Sequence, residues 1–393
     1  MLDRVAELDG VRGIAILLVM VFHFGSVTPS QSTFLNQIGH EAIGFGWCGV
    51  DLFFVLSGFL ITGILLDSKG SLNYFSVFYA RRVLRILPLY YFAVFVFFQV
   101  IPLLANRFGW NWTKISSTEQ VWYWLHVSNW RTAFQPLVYP QVTHFWSLAI
   151  EEQFYLVWPA IVLVCSRRRL LQVCVFLIVA SAVARNLPQV QELSAQYSNL
   201  LYRLTPFRSD SLLMGAAGAL IVRDQSWTSR AHRWLKLIFA LSCLAVAAVV
   251  AAAGTTSPHS GAMTRFGYSA LGLLFVSGIL YSAWHTGGDG IARILRSGLL
   301  TSFGKYSYAM YLVHAPLIPL VRVRVVGHGV LSIILSIVAG MVATYVLALL
   351  SWNCLERHFL KLKGRFRYRR PQRGPSEMSV AGPVPAARDL LVN

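Results

Sequence analysis

Charge is scarce in this chain, and negative charge is scarcer still. Of 393 residues 13% are charged, with 16 Asp and Glu against 34 Lys and Arg. So few ionised groups beside 56% hydrophobic residues, with a mean hydropathy of +0.56, exclude an ordinary soluble domain. The five cysteines, Cys48, Cys165, Cys174, Cys243 and Cys354, stand singly without CxxC spacing, so neither a disulfide framework nor a cysteine metal site is expected. Also missing are a cleavage-site pattern after the first apolar run, so that residues 8–27 read as a retained span, and any repeat of 20–50 residues.

What is present is a series of apolar runs long enough to cross ~30 Å of hydrocarbon. They predict an all-α, polytopic membrane bundle of about ten transmembrane helices, at 8–27, 46–66, 84–104, 146–165, 170–187, 204–222, 234–253, 266–284, 298–320 and 330–352. The sixth is interrupted by Arg208 and Asp210. With the N-terminus cytoplasmic, 23 of the 34 Lys and Arg fall on inside segments, from Arg4 to Arg388. Eight fall on outer loops: Arg107, Lys114, Arg131, Arg185, Arg203, Arg265, Arg322 and Arg324. The inside bias places both termini in the cytoplasm.

That bias also accounts for the net charge of +18, which in a soluble protein would suggest nucleic acid; no nucleic-acid partner is expected here. Residues 1–356 read as the membrane domain and 357–393 as a basic, then disordered, cytoplasmic tail. The stretch KLKGRFRYRRPQR (361–373) suits anionic lipid headgroups, and 374–393, rich in Pro, Ala, Gly and Ser, reads as disordered. The long outer loop 105–145 holds Trp110, Trp112, Trp122, Trp124 and Trp130, five of the twelve tryptophans. They read as an aromatic belt at headgroup depth, the alternative being a stacking surface for a sugar or lipid acceptor.

Against this background the ionisable groups inside the spans stand out, since a charge at membrane depth costs roughly 2.5–3.5 kcal/mol and marks a functional site by default. The run HFWSLAIEEQFYLVWP at 144–159 sets Glu151 and Glu152 among His144, Ser147, Tyr155 and Trp158. In LDGVRGIAILLVMVFHF, Arg12 and His23 are eleven residues apart, about 16 Å along a helix and on one face of it. Asp51 opens the second span, Arg208 and Asp210 the sixth, and His314 lies in the outer half of the ninth. Five spans thus bring polar groups to one depth, and a histidine near carboxylates in a low-dielectric pocket has what general-base catalysis needs. At the opposite end RRVLRILPLYY places Arg82 and Arg85 within one turn, a pattern that positive-inside charge explains and that also suits phosphate groups.

The ordered set LDGVRG…FH, GVDLFFVLSGFLIT, RRVLRILPLYY, HFWSLAIEEQFYLVWP, FRSDSLLMGA and SYAMYLVHAPL resembles the integral-membrane acyltransferase 3 family, over about residues 8–356. The resemblance implies an O-acyltransferase that moves an acyl group, usually acetyl, from cytosolic acyl-CoA to a sugar or other hydroxyl. By motif it makes His23 the catalytic residue, paired with Arg12, puts Arg82 and Arg85 near the CoA phosphates, and places the family glutamate at Glu151. Some relatives append an extracytoplasmic esterase-like domain; this chain ends in a short basic tail, so the acceptor is expected to be served by the membrane domain or a partner.

The expected activity is therefore O-acetylation of a cell-envelope carbohydrate, or its lipid-linked precursor, at the bacterial inner membrane. His23, Glu151 and Asp51 are the expected catalytic residues. Arg12, Arg82, Arg85, His144, Ser147, Arg208, Asp210 and His314 are the expected binding residues. Acetyl-CoA is the donor and membrane lipids surround the chain; no metal is expected. No GxSxG-like nucleophile favours an acyl-enzyme. The alternatives are acylation of a small molecule such as a macrolide, or of a lipid, and, in another class, a proton-coupled transporter, for which no inverted repeat is visible.

Overall fold

The computed structural model describes residues 6–25, 34–109, 112–135, 139–284, 290–324 and 330–369. Arg4, Trp110 and everything beyond Arg369, including the stretch read as disordered, lie outside them, as do the side chains of Arg322 and Arg324. Among the described residues there is no strand, and ten helices of 17 residues or more overlap the ten expected spans, the third starting ten residues before its span and running on through Val96–Val100 and Ile101–Phe108. They are α1 (Ala6–Gly25), α2 (Gly49–Ser68), α3 (Tyr74–Phe95), α4 (Phe145–Val164), α5 (Arg167–Asn186), α6 (Thr205–Val222), α7 (Gln225–Ala253), α8 (Tyr268–Trp284), α9 (Gly298–Arg324) and α10 (Val330–Ser351).

Eight of the ten, with their extensions, are long and apolar enough to cross a membrane. The two that are not, α6 and α9, carry Arg208, Asp210 and Ser211, and Ser307 and His314, all buried. Their polarity is shielded by partners: α6 packs on α2 and α5, α9 on α1 and α10. The outward face of α7, with Leu237, Leu241 and Leu244 exposed, has the character of a surface meant for lipid. The chain is a multi-pass membrane protein.

Small residues set the closest approach. A Cβ on Gly58 would stand 1.8 Å from the Leu212 carbonyl oxygen, and one on Gly215 1.9 Å from that of Val55. So α2 and α6 meet backbone to backbone, as glycines allow in membrane helices, where van der Waals packing drives association. The 105–145 loop folds into two short helices, Ser117–Trp124 and Ser128–Phe134, with His126 turning between them at φ 55°. Trp124 stacks on Tyr91 while Trp122 and Trp130 are exposed.

Candidate active site

The expected site residues separate into three groups. The first lines a pocket between α1, α2, α3, α4 and α9, with Arg12, Arg82 and Arg85 among its walls, Ser57, Glu151, Glu152 and Tyr155 further along, and Ser147 and Tyr311. The pocket follows α2 from Val50 to Ile64, about 21 Å of helix at 1.5 Å per residue. Arg12 Nη1 is held by Asp9 at 2.7 Å. Ser57 Oγ meets Tyr155 Oη at 2.5 Å and hydrogen-bonds Glu151, whose carboxylate lies within electrostatic reach of Arg12, Arg82 and Arg85. Glu151 is therefore a neighbour of the arginines, and Glu152 stands beside it on the same wall.

The second group is a cluster of three histidines past Ser147 and Tyr311. The Ser147 and Tyr311 hydroxyls are 2.6 Å apart, and Tyr311 also donates to the His144 carbonyl at 3.1 Å. The ring of His314 lies 4.7 Å from both His144 and His23, centroid to centroid. Each ring has one nitrogen facing a backbone carbonyl: His23 Nδ1 on Val19 at 2.9 Å, His314 Nδ1 on Tyr311 at 2.7 Å, His144 Nε2 on Leu312 at 3.2 Å. A carbonyl only accepts, so these nitrogens carry the protons, and the basic nitrogens of the neutral rings are His23 Nε2, His314 Nε2 and His144 Nδ1. His144 and His314 are buried, whereas His23 is half-buried. Of the three, His23 alone is partly exposed.

The third group is apart from both. Asp51 accepts from Arg208 at 2.8 Å and from Ser211 at 3.1 Å, and both ions are fully buried. The Arg208 guanidinium lies 3.9 Å from the Tyr268 ring centroid. Asp210 pairs with Arg185 at 2.9 Å and accepts from Ser269. Arg185 and Arg203, read from the sequence as outer-loop cations, are buried instead. The sequence carried no signal for these pairings, which join residues 157 and 25 positions apart. Among the described residues no group of three His, Cys, Asp or Glu is arranged to hold a metal ion.

An arginine-walled channel leading toward a histidine cluster inside a helical bundle fits the resemblance seen in the sequence, and the acyltransferase domain family matches residues 5–352. The chain belongs to that acyltransferase family. It is similar to YrhL of Bacillus subtilis, provisionally named a peptidoglycan O-acetyltransferase, at 31% identity over 89% of this chain and 54% of the relative. It is also similar to the peptidoglycan O-acetyltransferase OatA of Listeria monocytogenes, at 27% over 90% and 55%. The chain thus spans about half the length of the curated relatives it matches. No solved structure matches it.

Proposed function

We propose that this acyltransferase carries an acetyl group from cytosolic acetyl-CoA to a hydroxyl of a cell-envelope carbohydrate, with peptidoglycan or its lipid-linked precursor the first acceptor to test. The observation that carries this reading is the continuity of the pocket from Arg12, Arg82 and Arg85 to the Ser147–Tyr311 pair, where His144 and His314 pack against Tyr311 and His23 against His314. Guanidinium groups suit phosphates through paired, charge-assisted hydrogen bonds, and ~21 Å of pocket suits a long, thin donor arm. The acceptor is named from the relatives' printed names.

In this mechanism the thioester lies beside Ser147 and Tyr311. His23 Nε2 takes the proton of the acceptor hydroxyl as its oxygen attacks the carbonyl carbon. The C–S bond breaks, and the thiolate leaves and is protonated to CoA. Ser147 and Tyr311 are the hydroxyls nearest the developing oxyanion, and turning one of them from the His144 carbonyl supplies a donor to it. Glu151 acts as a positioning residue for the arginines. Both termini then face the cytoplasm of a bacterium, with the histidines toward the outer side of the inner membrane.

The test is transfer of label from [14C]acetyl-CoA to a muropeptide or lipid-linked disaccharide by the purified full chain in nanodiscs, with envelope glycans from cells with and without the protein compared by mass spectrometry. An acetyl increment on one sugar, dependent on the protein, is expected. Label appearing on no carbohydrate in either assay would overturn the carbohydrate reading.

A further inference from the structure

The basic stretch after α10 does not run away from the bundle. Past the helix Arg357–Leu362 and the turn Lys363–Arg365, residues 366–369 fold back on the start of α3. Leu72 N donates to Arg369 O, Arg369 N to Asn73 Oδ1 and Asn73 Nδ2 to Arg367 O, all at 2.9 Å, and Arg81 Nε donates to Phe366 O at 2.9 Å. Three of these bonds are to backbone carbonyls and the fourth to a backbone amide, so they fix the path of the segment whatever its side chains.

This path brings Lys363 beside the arginine end of the pocket. Its electrostatic neighbours, strongest first, are Arg85, Arg82, Arg81 and Arg12. Five cations gathered in a half-buried place repel one another, and the four carboxylates that face them, Asp9 on Arg12, Glu151 on Arg12, Arg82 and Arg85, Glu152 on Arg82 and Glu356 on Arg85, leave the region cationic. Two polar atoms in the same region, Arg82 Nε and Tyr368 Oη, are buried without a hydrogen-bond partner, and Tyr368 is an electrostatic neighbour of Arg82. Buried polar atoms are nearly always satisfied. An excess of cations with unspent donors is what a ligand bearing several phosphates would complete.

We infer that residues 363–368 form the outer wall of the donor site, with Lys363 and Tyr368 binding the terminal 3′-phosphate of acyl-CoA. The assignment rests on the donor reading above. Arg12, Arg82 and Arg85 line the pocket itself and fall to the pyrophosphate at the head of the acyl-bearing arm. Lys363 and Tyr368 lie outside the lining, where the phosphate furthest from the thioester belongs.

The probes are CoA and 3′-dephospho-CoA, bound to the full chain in nanodiscs of phosphatidylcholine alone or with added phosphatidylglycerol. The parent is expected to prefer CoA about tenfold, since a charge-assisted contact is at stake. Lys363→Ala should bring that ratio close to one, Tyr368→Phe should lower it, and Lys363→Arg should retain it. If Lys363→Ala keeps the parental preference while Arg82→Ala and Arg85→Ala lose CoA, the tail is no part of the site and only this inference falls. If the parent binds neither probe, the donor reading falls with it. A Lys363→Ala effect seen only with phosphatidylglycerol present assigns the lysine to a lipid headgroup and overturns the inference.

Discussion

Asp51 and Arg208 form a fully buried ion pair, 2.8 Å apart, that ties α2 to α6 one turn before the point where the two backbones touch. Removing one partner of such a pair leaves an uncompensated charge and is worth about 3–5 kcal/mol, whereas replacing both by apolar groups of similar volume is often neutral. Asp51→Ala and Arg208→Ala should therefore lose folded protein in membranes, and Asp51→Leu combined with Arg208→Met should restore much of it. Thermal unfolding of the purified variants measures this. An Asp51→Ala protein as stable as its parent would free Asp51 for the catalytic role that its place in the sequence suggested.

The close approach of α2 and α6 makes a second expectation. Gly58→Ala places its methyl carbon within 2 Å of a backbone oxygen, which no side-chain rotation relieves. The helices must part, at a cost of about 1–3 kcal/mol or more, and Ser57, next in sequence, moves away from Tyr155 and Glu151. Gly39→Ala, with nothing within 4 Å of the new carbon, is the comparison. Lower thermal stability and weaker CoA binding are expected for Gly58→Ala only.

How far the sequence could be read depends on the range of the interaction. The ten helices were legible because apolar runs of that length have few other ways to satisfy their backbones in lipid. That Arg12 and His23 share a helix, and that His144 and Ser147 lie together at the start of α4, follows from helical spacing alone. The partners of Asp51 and Asp210 were not legible, since nothing local distinguishes a carboxylate beside an arginine from one beside a histidine. The path of the basic tail was not legible for a related reason: its composition suits lipid headgroups, while its backbone hydrogen bonds to Leu72, Asn73 and Arg81 depend on a neighbour some 290 residues earlier.

His126 gives a pH dependence outside the spans. Its ring stacks on Tyr90 at 4.0 Å, and burial pushes its pKa down to about 4. An unfolded histidine titrates near 6.5. As pH falls from about 6.5 toward 4 the opened loop therefore takes up a proton that the folded loop refuses, and stability present above 6.5 is lost through that window. The amide protection factors over residues 117–134, which take out the intrinsic pH dependence of exchange, should fall between pH 7 and pH 5. His126→Asn, which tolerates the left-handed backbone, should abolish that fall; an unchanged pH response in that variant would assign it elsewhere.

The mechanism stands on His23. With Nδ1 held by the Val19 carbonyl, Nε2 is its basic nitrogen, and of the three clustered imidazoles it alone is half-buried. A general base is worth ~10²–10⁴-fold in rate, so His23→Gln should insert and fold normally yet lose transfer by at least about a hundredfold. Its affinity for CoA should stay parental, because the donor phosphates are proposed to lie at the far end of the pocket. A structural histidine would behave otherwise: Gln can still donate to Val19, and any lost activity would track lost protein. Acetyl transfer per quantity of folded protein, measured beside CoA binding in the same nanodiscs, separates the two. A His23→Gln enzyme transferring acetyl near the parental rate would pass the role to His314 or His144, whose basic nitrogens are buried without a partner.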